Sequence, residues 1–517
     1  MDQRNSVLLL LLLLFQVLFV ATQNSNRDFT ALSSLTEFWE NKPPSWVGTD
    51  PCGGWEGIEC NNSRVASIKL LSMNLKGRLT EAIGRLTELT TLDLSYNKGM
   101  GGRIPAEIGN LSKLQILSLV GCDFSGPIPE SLGDLKRLTF LALNLNRLSG
   151  NIPRTLGNLS NVNWLDIADN QIEGPIPISD EEGPGLDMLL KAEHFHFGNN
   201  RLSGEVQAKL LSSKMILKHL LLDNNHLVGS IPDTTGLIKT LTVVRYDHNQ
   251  MTGEVPSSIK NLTKLTDLNL GNNKLNGSMP DLTGLDALAS VDLSNNSFNP
   301  SNIPSWASSL PYLTTLLLES TGLQGEIPDS LFSQSNLETV ILRNNKLNGT
   351  LDVGNSLPNL NLIDLQDNRI GDFEQKSGGT SFNVVLVGNP IFLKQELLRK
   401  VTAKARKLYH NIQHQKITVY LLFGFKHGFQ PKLQCAFPYR GVLTSRAPGF
   451  SNFRNTSYFK DLEHGLLTTF QSHDLPVDSV SLTNAFQNSV TSYFSLDVEV
   501  FPSQIDRFNR TGVLSIS

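Results

Sequence analysis

The pattern L-x-L-x-x-N-x-L recurs along most of this 517-residue chain. Aligned on its asparagine, the marked positions are Met73, Asn97, Cys122, Asn146, Asn170, Asn200, Asn225, Asn249, Asn273, Asn296, Thr321, Asn345 and Asn368. Neighbouring marks lie 23 to 25 residues apart, except for a gap of 30 between Asn170 and Asn200. A period of this length excludes one conventional core. Each unit is a single coil that can bury its apolar face only against the next. Leu141-x-Leu143 and Leu268-x-Leu270 predict short strands with leucines inward and the flanking residues outward. The turn that follows leaves backbone N–H and C=O groups away from water. A buried Asn amide donates and accepts, so stacked Asn side chains satisfy those groups. Cys122 and Thr321 can make weaker versions of that contact; Met73 cannot.

After the asparagine comes L-x-G-x-I-P, as in "LSGNIP" at 148–153, "IEGPIP" at 172–177 and "LQGEIP" at 323–328. Glycine permits a tight bend, and proline fixes φ where no donor is needed. This form of the unit resembles the plant-specific leucine-rich repeat. That repeat is found in plant receptor kinases, receptor-like proteins and secreted inhibitors. The resemblance implies an α/β fold: a curved right-handed superhelix of about 13 repeats. The acidic insert "SDEEGPG" at 179–185 accounts for the long gap and is expected to be a surface loop.

The ends differ from the middle. Residues 1–23 read as an export signal, with Arg4 ahead of a nearly continuous apolar run from Val7 to Val20 and small residues after it. That run is shorter than the roughly 20 residues a spanning helix needs. Residues 24–64 read as an N-terminal cap: "FTALSSLTEFW" has helical period, and "DPCGGWEGIEC" follows. A Cys52–Cys60 disulfide is expected in an exported chain, since two Cys without a nearby His do not complete a zinc site. Export also suits the nine Asn-x-Ser/Thr sequons at Asn61, Asn110, Asn158, Asn261, Asn276, Asn295, Asn348, Asn455 and Asn509. A net charge of -4 argues against a nucleic-acid footprint.

The repeats at 65–390 carry one unusual stripe of outward positions: Trp164, Asp166, His194, His196, His219, Asp223, Arg245, Asp247 and His248. Elsewhere Thr, Ser and Asn dominate these positions. Aromatic and Arg side chains anchor protein interfaces, so the stripe is the candidate docking surface for a peptide, a protein ligand or a partner ectodomain. The plainer expectation is of solvated strand positions. No metal ligand set is fixed by the sequence, and no metal, cofactor or catalytic residue is expected.

Beyond Asn389–Pro390 the repeats stop. Residues 434–517 contain "CAFPYRGVLTSRAP", "LPVDSVSL" and "VFPSQIDRFNRTG", in a stretch expected to mix strands and helices, with Tyr493–Phe501 alternating like a strand. With the repeats, these motifs resemble the ectodomain of plant leucine-rich-repeat receptor-like kinases of subfamily VIII. The resemblance covers nearly the whole chain. It implies a single-pass receptor on the extracellular face of the plasma membrane, reached by the secretory pathway, with a cytoplasmic Ser/Thr kinase domain. The C-terminal region would then be a mixed α/β juxtamembrane domain.

These residues hold no V-A-I-K, H-R-D or D-F-G, so the expected role is binding, with membrane attachment only through a span beyond Ser517. The alternatives are a secreted inhibitor of a cell-wall hydrolase and a soluble receptor decoy. One segment departs from the resemblance. Residues 391–433 form a basic insert with nine Lys/Arg against one acid, Glu396, where the family carries several Cys. It is expected to be either a solvated, disordered insert or the product of a shifted reading frame. Cys435 is left without an obvious partner.

Overall fold

The computed structural model describes residues 27–354, 359–374 and 382–391, and the strands Tyr439–Ser445, Val477–Gln487 and Phe494–Pro502. The expected signal segment at 1–23, the basic stretch from residue 392, Cys435, Asn455 and Asn509 lie outside the described residues. Two compact units are present, divided between Leu421 and Leu422.

In the first unit, one strand per coil builds a sheet of fifteen strands. It opens with an antiparallel pair, Ile58–Asn61 against Arg64–Lys69, and continues in parallel through every later coil to Asn383–Val385. That last strand belongs to a further coil beyond the thirteen marks; its asparagine is Asn389. The L-x-L leucines face inward and are buried, as at Leu141, Leu143, Leu268 and Leu270. Most coils then carry a short 3₁₀ turn, such as Arg154–Asn158, on a separate row. The L-x-G segments form a second parallel sheet of seven strands, from Lys76–Arg78 to His226–Val228.

The asparagine ladder is present. Asn225 Oδ1 accepts from the Leu202 amide (2.9 Å), and its Nδ2 donates to Phe197 O and Leu222 O at 3.1 and 3.2 Å. Asn389 repeats the pattern with the Ile370 amide and Leu365 O. The substitutes behave as their chemistry requires. Cys122 Sγ reaches Leu94 O at 3.2 Å and Thr321 Oγ1 donates to Leu318 O at 2.8 Å, whereas Met73 packs against the core.

Two glycine positions show why the unit needs them. Gly150, in the L-x-G segment, has φ +76, where a Cβ costs roughly 1 kcal/mol or more. Gly133, in a 3₁₀ turn, lies so close to the next coil that a Cβ would collide with Thr155 O.

The open N-terminal end is covered by a helix at 27–35. Phe29, Trp55, Trp46 and Trp39 form a run of ring contacts, with Trp46 stacked on Trp55 at 5.0 Å. Cys52 and Cys60 are disulfide-bonded. The insert at 179–185 is pinned to the preceding coil: Arg154 pairs with Asp180 and Glu182, and Ser179 Oγ donates to Asp187 at 2.6 Å.

In the second unit, Phe494–Pro502 lies between Tyr439–Ser445 and Val477–Gln487, antiparallel to both.

Candidate functional site

Parallel register decides which outward side chains meet. Phe140, Trp164, His194 and His219 stand at equivalent positions of four adjacent strands. Ile116 precedes them and Val243 follows. In the next outward row Ala142, Asp166, His196, Leu221 and Arg245 are equivalent. Neighbouring strands lie about 4.8 Å apart, so large side chains in one row must stack.

They do. Trp164 stacks on Phe140 at 5.6 Å and lies 4.2 Å from the His194 ring, with the His196 ring edge-on to it at 4.9 Å. His194 meets His219 edge-on at 4.5 Å. His196 bridges the rows: its Nδ1 lies 3.3 Å from Asp166 Oδ2 and its Nε2 lies 3.2 Å from His219 Nδ1. An ionised carboxylate only accepts, so Nδ1 of His196 carries the proton and Nε2 presents a lone pair.

The packing overturns the expectation of solvated positions. His196 is 1 % exposed, Asp166 5 %, and His219, Asp223 and Asp247 6 % each. Side chains on this face bury one another because each is wider than the strand spacing allows. Trp164, His194 and Arg245 keep partial exposure, and Arg245 Nη2 donates to Asp267 at 2.7 Å. His248 is not on a strand; it occupies the left-handed turn position before Asn249, at φ 52, with Nδ1 at 2.9 Å from Asp247 Oδ2.

Burial also sets the electrostatics. Desolvation, then the nearby His196 and Lys218, push the His194 imidazole down to about 3, so it is neutral at ordinary pH. Desolvation pushes Asp247 up to about 6, against the opposing bond from His248. Buried atoms without a hydrogen-bond partner collect here: His194 Nδ1, Asp223 Oδ1 and Asp247 Oδ1. One ligating nitrogen from each of His194, His196 and His219 lies within 4.8 Å of the other two. That grouping escapes the sequence pattern, although each histidine was singled out. Half-exposed Ile116 was outside the predicted positions; with Phe140, an outward position of its strand, it extends the Trp164 row.

Of the sequons, Asn61, Asn110, Asn261, Asn276, Asn295 and Asn348 are exposed and Asn158 is half-buried. Among the described residues, no helix is long and apolar enough to cross a membrane.

Comparison with known proteins supplies the lineage. A family profile described as Leucine Rich Repeat matches residues 88–111 and 113–135. A probable leucine-rich repeat receptor-like protein kinase of Arabidopsis thaliana is 45% identical over 515 residues, 98% of this chain and 54% of that protein. The chain therefore spans about half the length of that relative. The leucine-rich repeat protein FLOR 1 of Arabidopsis thaliana is 37% identical over 112 residues, 20% of this chain and 34% of its own length. Among solved structures, the ectodomain of the Arabidopsis thaliana receptor kinase GASSHO1/SCHENGEN3, in complex with CASPARIAN STRIP INTEGRITY FACTOR 2, matches with TM-score 0.50 and 26% identity. The match covers 70% of this chain and 56% of that one.

Proposed function

The chain belongs to the leucine-rich repeat receptor-like protein kinase family, and we propose that it is the extracellular, partner-binding region of such a receptor, acting by binding and not by catalysis. The observation that carries this reading is the partly exposed row running from Ile116 through Phe140 and Trp164 to His194. A continuous aromatic edge across adjacent coils suits an extended peptide, whose side chains can sit between neighbouring rings. Support from relatives comes from GASSHO1/SCHENGEN3, whose ectodomain is solved with a bound factor. Signal would pass when a bound peptide, or a partner ectodomain, holds two receptors side by side across the membrane. Subfamily VIII membership and the extracellular location are part of the same proposal.

The test is a screen of synthetic secreted peptides against the immobilised full chain by biolayer interferometry, repeated on Trp164→Ala. Peptides that use the row lose at least about 10-fold in affinity, the scale of one aromatic anchor. Hits that bind the variant as well as the parent overturn the assignment of this row.

A further inference from the structure

We propose that His194, His196 and His219 form a binding site for a first-row divalent transition ion, zinc(II) or copper(II). The inference is independent of any peptide partner. Three observations carry it. First, three imidazoles from successive coils place one ligating nitrogen each within 4.8 Å of the others. Tetrahedral zinc with 2.0–2.1 Å bonds needs ligand nitrogens about 3.4 Å apart, and His196 Nε2 and His219 Nδ1 already stand at 3.2 Å. Closure requires side-chain rotation that turns the His196 and His219 lone pairs toward one point and brings in the His194 nitrogen from within 4.8 Å. Second, Asp166 lies at His196 Nδ1, the carboxylate–histidine arrangement that aims the other ring nitrogen at a metal. Third, His194 Nδ1 is buried without a hydrogen-bond partner, an unsatisfied acceptor that a ligated ion would satisfy.

The donor set selects the ion. Imidazole nitrogens suit zinc and copper, whereas magnesium and calcium prefer oxygen. The ion takes the place of the proton between His196 Nε2 and His219 Nδ1. That proton moves to His219 Nε2, so the ring changes tautomer and stays neutral. Asp166, in the row of His196 and 3.3 Å from its Nδ1, offsets part of the added charge. Three protein ligands leave at least one coordination position for water or for a donor from outside.

The experiment is equilibrium dialysis of the secreted full chain against zinc(II), copper(II) or magnesium(II) alone, with bound metal measured by mass spectrometry. The chain holds ten histidines, so the variants decide the result. The expected outcome is one equivalent of zinc or copper that weakens at least about 100-fold in His194→Asn or His219→Asn, and 10- to 100-fold in Asp166→Asn. Magnesium should not bind. Metal-free melting temperatures and far-UV circular dichroism of each variant identify any that fails to fold. Cobalt(II) absorption supplies a second readout in the parent chain, where four-coordinate binding by three histidines and one further ligand gives intense visible bands. Undiminished binding to folded His194→Asn and His219→Asn, or oxygen-dominated cobalt spectra, overturns the site.

Discussion

The Asp166 carboxylate lies 3.3 Å from Nδ1 of His196, and both side chains are almost fully buried on the outward face of the repeat sheet. A face that would ordinarily meet water has here become a small polar interior. Its stability should therefore follow pH in ways that ordinary strand surfaces do not.

His194 is the first consequence. Its folded value of about 3 is below the 6.5 of an unperturbed imidazole, so on acidification the unfolded chain takes up a proton before the folded one does. This residue's contribution to stability is therefore present at neutral pH and lost as pH falls from 6.5 towards 3. Replacing it with Asn should flatten that part of the profile. Melting temperatures at pH 7.5 and 4.5 check the point: the parent should lose more on acidification than His194→Asn does.

Asp247 should behave in the opposite sense. Its folded value of about 6 is above its ordinary 3.8, so folding favours the protonated form and stability falls as pH rises through 4 to 6. Asp247→Asn, neutral throughout, should be more stable than the parent at pH 7.5 by about 1–3 kcal/mol, with the gap closing at pH 4. Chemical denaturation at the two pH values measures it; an equal gap at both would refute the assignment.

At the N-terminal end, Asp28 Oδ2 accepts from Arg64 Nε at 2.9 Å and from the Val65 amide at 2.8 Å, with Asp28 1 % exposed. This ties the cap helix to the first strands of the sheet. Asp28→Ala strands a guanidinium and a buried amide, and should cost roughly 3–5 kcal/mol. Limited proteolysis should then cut first within the cap, before the repeats.

The asparagine ladder offers a paired test. Asn225→Ala leaves the buried Leu202 amide without its acceptor, while Phe197 O and Leu222 O keep Asn200 and Asn249, and should cost about 1–3 kcal/mol. Cys122 holds the same place with only weak sulfur contacts, so Cys122→Asn should raise the melting temperature. Burial pushes the Cys122 thiol up to about 11, and labelling by a thiol reagent at pH 7.5 should be slow until the chain unfolds.

Much of the architecture is legible without coordinates because it repeats. The L-x-L strands, the Asn ladder and the left-handed glycines each answer a local backbone requirement, and the requirement returns every 23 to 25 residues. The coil that closes at Asn389 keeps the pattern as Val384-x-Leu386-x-x-Asn389, 21 residues after Asn368. The cap disulfide between Cys52 and Cys60 was expected from two nearby cysteines in a chain whose first residues read as an export signal.

The stripe shows where local pattern stops. Its members can be named from the sequence, but Trp164 and His194 are thirty residues apart across the insert, and only strand register makes their rings neighbours. Burial is likewise absent from a list of polar letters. It arises because rings on strands about 4.8 Å apart cover one another and exclude water. The sequence by itself therefore determined the scaffold, through chemistry that acts within a coil and its nearest copy. Only the tertiary structure decided that Trp164, Asp166, His194, His196 and His219 pack into one cluster with Asp166, His196 and His219 buried, because that depends on distances between coils.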